Sequence, residues 1–231
     1  IQTGLDPSFI GGANCRQICG GSRVGANKGP RARGAEGPRG RTSDNPRTPA
    51  TQSAPSSALD PSAPAPSAPS QILVAEACEY DRSFHNFHPT HGVILNVEVD
   101  HLDLYASIDE IVEAFAVFAR KLPPASRGGT LLLNHEMPHR LAIAGQLDCA
   151  VETIGFTPNA DWRVGVKDGL ARLHRGREIV MDWKSPLPGE HMAYNAAVAA
   201  VTAHRLGADW DGIRAAIEGF QGLDRRMQRL G

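Results

Sequence analysis

Short apolar runs alternate with amphipathic segments along residues 71–231. A short apolar run between polar residues is typical of a buried strand, and apolar positions three or four residues apart indicate a helix. Four apolar runs predict buried strands at residues 72–75, 92–96, 130–133 and 150–154. We expect the first two of these strands to lie side by side in one parallel sheet.

The best-defined helix in this pattern begins after Ser107. The Ser107 hydroxyl can cap the first helical turn, and Glu110, three residues later, completes a capping box. Pro123 and Pro124 end the helix, because the residue before a proline avoids the helical conformation. One apolar face recurs at helical spacing and comprises Ile108, Ile111, Val112, Phe115, Phe118, Ala119 and Leu122.

Three further helices are predicted. A short helix covers residues 138–144 and starts at Pro138, because proline favours the first helical position. An alanine-rich helix covers residues 191–206 and stops at Gly207. Asp209 caps the last helix of the chain.

The hydrophobic pattern changes between residues 162 and 184, where short apolar runs are separated by turn sequences at Asp168-Gly169 and Arg175-Gly176. Such spacing predicts an antiparallel meander at the edge of a sheet. Strands that alternate with helices elsewhere predict an α/β fold with a mostly parallel, Rossmann-like sheet and flanking helices. Sheets of this kind bind ligands at the carboxyl ends of their strands.

Composition divides the chain into three segments. Residues 1–25 are mixed and rich in glycine, and we interpret them as a partial N-terminal piece of the same domain. Between residues 41 and 70, 20 of 30 residues are Pro, Ser or Ala, too little apolar surface to offset the entropy of ordering. We therefore predict a disordered linker or insertion at residues 26–70 and a folded domain at residues 71–231.

The formal net charge of −1 argues against nucleic acid or an anionic membrane as a partner. Residues 1–42 carry seven basic and two acidic side chains, but no aromatic residue lies between Lys28 and Arg41 to stack on bases. No apolar stretch has the length of a membrane span, and the start lacks a signal-peptide pattern. Four scattered cysteines are typical of a reducing cytoplasm, where we expect the protein to reside. The sequence leaves the oligomeric state open.

Carboxylates follow directly on the first two predicted strands. Because the carboxyl ends of adjacent parallel strands meet at one edge of a sheet, we expect these side chains to share a rim. Oxygen ligands with few nitrogens suit Mg²⁺. The residues concerned are Glu76, Glu79 and Asp81 after the first strand, and Asn96, Glu98, Asp100, His101 and Asp103 after the second.

Five segments resemble motifs of a known enzyme family, the Mur ligases. Residues 74–84 resemble the E-A-(D/C)-E-x-D-x-S-F segment of the UDP-N-acetylmuramate–L-alanine ligase branch, and residues 4–12 resemble its G-L-D-P-(x)3-G-G stretch. Residues 96–105 resemble the N-x-x-x-D-H-x-D-x-Y segment that the family shares. Residues 189–196 resemble its G-x-H-N-x-x-N-A segment, and residues 220–226 resemble F-x-G-x-x-R-R.

The resemblance implies an ATP-dependent amide ligase of peptidoglycan synthesis. Its implied cofactors are ATP and Mg²⁺, and its implied substrates are UDP-N-acetylmuramate and L-alanine, joined through an acyl phosphate. Phosphoryl transfer of this kind depends on positioning and charge neutralisation. By the same resemblance, Glu76 and His101 would hold the Mg²⁺ around the transferring phosphate. Asp81, Asn96 and Asp103 would shape the rim from behind these ligands.

The nucleotide contacts are also implied by the resemblance. His191 and Asn195 would lie near the adenine and ribose. Arg225 or Arg226 would contact nucleotide phosphate, where a guanidinium group matches the oxygens, and Arg226 is our candidate for the catalytic arginine.

The sequence departs from the family pattern in several places. It contains no G-x-x-x-x-G-K-[ST] phosphate loop, and Met192 replaces the first Asn of H-N-x-x-N. Residues 26–70 occupy the place of a short connection. We expect a central domain without its phosphate loop and without the C-terminal domain, and no ligase activity from this chain alone. Two alternatives stay open, a ligase that adds a whole murein peptide to the same nucleotide sugar and a non-catalytic remnant.

A zinc-peptidase pattern, H-E-x-x-H, occurs at residues 135–139. That chemistry needs both histidines on one face of a continuous helix, with Glu136 as the general base. Pro138 would interrupt such a helix, and an apolar strand runs directly into His135. We therefore predict that His135 and His139 do not share a metal.

Overall fold

A computed structural model describes residues 8–15, 20–23 and 72–222 of the chain. The predicted linker at residues 26–70 and the arginines Arg225 and Arg226 lie outside these residues. No helix among the described residues is long and apolar enough to cross a membrane.

The main sheet has six strands in the order β4-β5-β6-β7-β8-β9. Strands β4 to β7 pair in parallel, and β7, β8 and β9 form an antiparallel meander at one edge. The predicted α/β fold, with its mostly parallel sheet and edge meander, is confirmed. The strands are β4 (His91–Ile94), β5 (Thr130–Asn134), β6 (Ala150–Gly155), β7 (Trp162–Lys167), β8 (Leu170–Arg175) and β9 (Glu178–Lys184).

A separate three-stranded sheet has the order β2-β1-β3. It comprises β1 (Ser8–Cys15), β2 (Gly20–Arg23) and β3 (Leu73–Ala75). The expectation that β3 lies beside β4 is wrong, because β3 pairs in parallel with β1. A three-residue apolar run specifies a strand but not its partner, since register is set by which faces become buried in the assembled sheet.

Among residues 72–222, four α-helices flank the main sheet, and two 3-10 helices lie in connections between elements. Helix α2 begins at Arg140, two residues after the predicted start at Pro138. The helices are α1 (Ile108–Ala119), α2 (Arg140–Ala144), α3 (Glu190–Arg205) and α4 (Trp210–Glu218), with 3-10 helices at Tyr80–Asn86 and Ala125–Arg127.

The helix caps follow the sequence closely. Ser107 Oγ accepts the Glu110 N–H at 3.3 Å, as predicted. The return bond of the capping box is shifted by one residue, because Glu110 Oε2 accepts the Ala106 N–H at 2.8 Å. Asp209 Oδ1 accepts the Gly212 N–H at 2.8 Å and caps α4.

The core consists of two layers, one on each face of the main sheet. Leu132 of β5 packs with Trp183 of β9 beneath α3 and α4. Its neighbours Leu131 and Leu133 point to the other face and pack beneath α1 and α2. All three leucines are no more than 1% exposed, as expected for a parallel strand buried on both faces.

Candidate functional site

Two carboxylates and one imidazole converge beyond the carboxyl end of β4. His101 Nε2 lies 3.5 Å from Glu79 Oε1 and 3.8 Å from Asp100 Oδ2. One potential ligand atom from each residue lies within 4.8 Å of the others. We call Glu79, Asp100 and His101 the rim cluster. It is the one group of three or more potential metal ligands found among residues 72–222.

The loop after β4 holds His101 in an uncommon backbone conformation. Its φ is +53°, in the left-handed region, which histidine enters more often than most residues. The His101 carbonyl accepts the N–H groups of Leu104 and Tyr105 at 2.8 and 3.0 Å. Asp100 Oδ1 accepts the His101 N–H at 2.7 Å, which leaves Asp100 Oδ2 facing the imidazole. The turn therefore aims the imidazole ring and the free carboxylate oxygen at the same point.

A buried tyrosine joins the Glu79 segment to this loop. The Tyr105 hydroxyl donates to the Glu79 carbonyl at 2.6 Å, and Tyr105 is only 1% exposed. Burial raises the pKa of Tyr105, so the phenol stays protonated and keeps donating. Tyr80 packs edge-on against the His101 ring at 5.2 Å between centroids. These contacts bring residues 79–80 to His101 without any pairing between β3 and β4.

Ionic contacts tie the same segment to α1. Arg82 forms an ion pair with Glu110, and its guanidinium lies 4.9 Å from the centre of the Tyr105 ring. Glu110 is also the residue that accepts the Ala106 N–H, so one carboxylate holds both the helix cap and the Glu79 segment.

A cavity of about 170 Å³ opens beside the rim cluster. Polar groups from both loops line one side, and Ile111 and Phe115 of α1 line the other. Asn96 Nδ2 donates to Glu98 Oε1 at 2.6 Å on this wall. The cavity thus offers carboxylate oxygens and an imidazole nitrogen against an apolar floor.

Only some of the rim residues predicted from the sequence lie at the cavity or in the rim cluster. His101 and Asn96 line the cavity. Glu76 is exposed just after β3 and is not part of the rim cluster; Glu79, three residues later, is. Asp81 and Asp103 are exposed and stand outside both the cluster and the cavity lining.

The predicted nucleotide contacts lie on a different element. His191 and Asn195 are four residues apart in the first turns of α3, where they share an exposed face. Neither residue lines the rim cavity. The chain enters α3 through Gly189, whose φ is +99°. A Cβ there would lie 2.6 Å from Cε1 of the exposed His191 ring, which would have to turn away, so the backbone conformation is what favours glycine.

A second group of polar contacts lies where β5 and β6 end. Glu136 Oε1 accepts the N–H groups of Phe156 and Thr157 at 2.8 and 2.9 Å and so fixes the loop after β6. Phe156 packs at 6.0 Å from the ring of Tyr194 on α3. Burial, together with the Glu136 charge, raises the pKa of Tyr194. The sequence showed Glu136 only within the H-E-x-x-H pattern, so its role as a loop anchor was missed.

The zinc-peptidase pattern has no helix to support it. Residues 135–139 precede α2, which begins at Arg140. His135 Nδ1 bonds to Thr153 Oγ1 at 3.1 Å, whereas the Glu136 carboxylate binds the loop after β6. His135 and His139 belong to no group of three or more potential metal ligands among residues 72–222.

We expect Gly155→Ala to lower the free energy of unfolding only in a protein that retains Glu136. A Cβ on Gly155 would lie 2.2 Å from Glu136 Oε2, so the carboxylate would have to leave the loop amides. Loss of these hydrogen bonds should lower the free energy of unfolding by about 1–2 kcal/mol. In a Glu136→Ala background the same change should cost little, which gives a coupling of about 1 kcal/mol in a double-mutant cycle measured by urea unfolding. Additive effects would show that the contact is not stabilising.

Comparison with known proteins shows the family. The model of the Mur ligase middle domain matches residues 57–203. A UDP-N-acetylmuramate–L-alanine ligase of Caldicellulosiruptor bescii is 35% identical over 167 residues, 70% of this chain and 36% of that protein. The ligase of the same name from Streptomyces coelicolor is 37% identical over 171 residues, again 36% of its length. The chain thus spans about a third of the length of these curated relatives.

Solved structures agree on the fold. The UDP-N-acetylmuramate:L-alanyl-γ-D-glutamyl-meso-diaminopimelate ligase of Neisseria meningitidis superposes with a TM-score of 0.70 at 22% identity, over 97% of this chain and 60% of that one. The UDP-N-acetylmuramate-alanine ligase of Thermotoga maritima gives a TM-score of 0.57 at 21% identity, over 68% of this chain and 35% of that one. Since the middle-domain model alone matches well over half of the chain, the protein belongs to the Mur ligase family.

Proposed function

We propose that this chain is the central part of an ATP-dependent ligase that adds L-alanine to UDP-N-acetylmuramate in peptidoglycan synthesis. The observation that carries the proposal is the rim cluster at the carboxyl end of β4, inside the segment that matches the Mur ligase middle domain. The choice of L-alanine rests on relatives of that name at 35–37% identity. Ligand sites at the carboxyl ends of parallel strands are the rule for open α/β sheets.

The donor set of the rim cluster fits Mg²⁺. Two carboxylates and one imidazole leave half of the positions of an octahedron to waters and phosphate oxygens, and Mg²⁺ usually keeps several such ligands. Glu79 and His101 are only partly exposed, at 36% and 30% of their side chains, whereas Asp100 is 74% exposed. Bound there, Mg²⁺ would supply positive charge against the phosphates of ATP and of the acyl phosphate.

The protein's own contribution is orientation. Tyr105 and the turn at His101 hold the backbone at Glu79 and at His101, so these two ligands need little rearrangement when an ion and a phosphate arrive. We further propose that Glu76 moves into this cluster as a metal ligand, as the family motif implies, while Asp81, Asn96 and Asp103 orient the ligands. Glu76 stands at the start of the exposed loop that also carries Glu79, which supports such a movement.

The nucleotide would extend from this rim toward α3. His191 and Asn195 present polar side chains from one exposed face near its N-terminus, which supports a role beside adenine and ribose. Arg225 and Arg226 follow α4 in sequence and are proposed to contact the phosphates, with Arg226 acting on the transferring group.

Metal binding by the chain tests the rim directly. Titration with Mn²⁺ in place of Mg²⁺, followed by the decrease of the electron paramagnetic resonance signal of free Mn²⁺, should show saturable binding in a form that can be measured in every variant. His101→Ala should weaken binding by about tenfold or more. Glu79→Gln should weaken Mn²⁺ binding to the same extent if Glu79 is a metal ligand. Glu76→Gln should also weaken binding to this extent if Glu76 joins the ligands.

Asp168→Asn is the matched control, because Asp168 is an exposed carboxylate in the β7–β8 turn. Its φ of +52° is one that asparagine also adopts readily, so the fold should be kept. Equal weakening by Asp168→Asn and His101→Ala would mean that Mn²⁺ is attracted by general charge, and the metal site would be abandoned.

The reaction itself needs an assay of phosphate release. Coding DNA on both sides of this reading frame defines the protein to assay, with ATP, UDP-N-acetylmuramate and either L-alanine or the peptide L-alanyl-γ-D-glutamyl-meso-diaminopimelate. Release that depends on L-alanine supports the proposal. Release that depends only on the peptide would instead identify a murein peptide ligase. That is the activity that the similar structure from Neisseria meningitidis is named for.

A non-catalytic remnant is the candidate of a different class. The absence of a G-x-x-x-x-G-K-[ST] loop from the sequence motivates it. Calorimetric titration with Mg-ATP separates the two, because micromolar affinity of the chain would exclude the remnant.

A further inference from the structure

Three neighbouring positions on the outward face of the meander carry basic or imidazole side chains. Strand register pairs Arg163 of β7 with His174 of β8, and Gly165 of β7 with Arg172 of β8. Side chains alternate between faces along a strand, and Trp162 and Val164 point into the core beneath α3. Arg163, Gly165, Arg172 and His174 therefore stand together on the opposite face.

These four positions form the corners of a rectangle on the sheet. Directly paired residues are about 5 Å apart at Cβ, and diagonal neighbours about 7–8 Å. Three corners carry a guanidinium or an imidazole, and the fourth, Gly165, carries no side chain. A glycine inside a strand weakens the strand, and it often marks a place where a ligand approaches the backbone.

The empty corner is open. A Cβ placed on Gly165 would meet nothing nearer than His174 Nε2, at 3.8 Å. The imidazole thus lies beside the open corner, and its Nδ1 is buried with no hydrogen-bond partner among the described residues. Burial lowers the pKa of His174, and so do the charges of Arg163 and Arg172.

Arg163 and Arg172 both lack an oppositely charged partner in the part of the chain that the structure describes. In residues 72–222 no carboxylate lies within ion-pair distance of Arg163 or Arg172. Asp182, which stands opposite Arg172 on β9, forms its ion pair with Arg214 at 3.5 Å. Two uncompensated guanidinium groups around a bare backbone position attract an anion, and guanidinium planes match tetrahedral oxyanions well.

We propose that Arg163, Arg172 and His174 form an anion site over Gly165 that binds a phosphate group. The open corner takes one tetrahedral oxyanion, with the two guanidinium groups as charged donors and the imidazole as a third contact. The site belongs to the meander and not to the rim cluster, so it does not depend on the ligase reaction.

Inorganic phosphate is the first probe, followed by the His174 imidazole NMR signals at constant ionic strength set with chloride. We expect a saturable shift of these signals. The Arg163→Gln/Arg172→Gln double variant should weaken phosphate binding by more than tenfold, because it removes two charge-assisted hydrogen bonds. A parallel titration with AMP distinguishes free phosphate from the phosphate group of a nucleotide as the ligand. Tighter binding of AMP than of inorganic phosphate would mean that the site also recognises the nucleoside.

Two variants separate binding from folding and from general charge. Gly165→Val keeps both arginines and adds a residue that strands favour, so it should leave the melting temperature unchanged or higher while reducing phosphate affinity about tenfold. Arg177→Gln removes one exposed positive charge from the β8–β9 turn and should change the affinity less than twofold. The proposal is overturned if phosphate gives no saturable shift, or if Arg177→Gln weakens binding as much as the double variant.

Discussion

Gly129→Ala should destabilise the protein by about 3 kcal/mol or prevent its folding. A Cβ on Gly129 would lie 1.7 Å from the Pro123 carbonyl oxygen and 3.3 Å from Cys149 Cβ. The first of these neighbours is backbone, held where the chain leaves α1, and cannot rotate away. Gly129 itself is buried and bonded on both sides, with its N–H donating to the Pro124 carbonyl and its carbonyl accepting the Ala150 N–H. The methyl group could be accommodated only by moving the backbone at Pro123 or at the start of β5.

Gly128→Ala is the matched control. Gly128 has a φ of +82° and no atom within 4 Å of an added Cβ, so an alanine there meets backbone strain alone. That strain amounts to about 1 kcal/mol. Urea unfolding of both variants should therefore rank them clearly, with Gly129→Ala the more severe. If Gly129→Ala lowered the free energy of unfolding by as much as Gly128→Ala or by less, the close contact between Gly129 and the Pro123 carbonyl would be disproved.

Glu152→Gln should lower the free energy of unfolding by about 2 kcal/mol at neutral pH. Glu152 of β6 accepts hydrogen bonds from Trp162 Nε1 at 2.8 Å and from Arg175 at 2.7 Å, and it forms an ion pair with Arg205 of α3. Burial by itself would raise the pKa of Glu152, but these partners outweigh it and lower the pKa to about 2. Arg205 is only 18% exposed, so the neutral amide leaves a largely buried charge without its partner.

The pH dependence follows from the direction of that shift. Because the folded-state pKa of Glu152 is depressed below its ordinary value of 4.5, its stabilisation is present above about pH 4.5 and is lost as the pH falls toward 2. Glu152→Gln should therefore flatten the acid limb of a stability–pH curve in this window. Glu178→Gln, at an exposed position where β9 starts, should leave the curve unchanged. A wild-type curve with the same slope as Glu152→Gln between pH 4.5 and 2 would contradict the prediction.

The pattern of apolar and polar positions was enough to predict the α/β class, the parallel strands after residue 90 and the edge meander. These elements depend on periodicities of two and near four residues, which are local and can be read along the chain. The caps at Ser107 and Asp209 were predictable for the same reason, since the side chain and the amide that it binds are three residues apart. His101 could be expected at the rim because residues that follow the strands of a parallel sheet collect at one edge of that sheet.

The partners of these residues could not be read in the same way. Glu76 and Glu79 are both acidic and both follow β3, and only the path of the loop, held by Tyr105, brings Glu79 to His101. The assignment of Glu76 as a metal ligand came from a resemblance and stays a prediction. The strand partner of β3 was equally hidden, because three apolar residues fit more than one sheet edge.

The sequence by itself thus determined which segments form strands and helices, which faces they bury and where polar residues collect, because each of these depends on neighbours in the chain. Only the tertiary structure decided which of two adjacent glycines tolerates a side chain, since the obstacle at Gly129 is the carbonyl of a residue outside its own strand. It likewise decided that Glu152 binds two arginines whereas Glu136 binds two backbone amides. Contacts between distant segments depend on how the elements pack in three dimensions, and the local pattern carries no record of that packing.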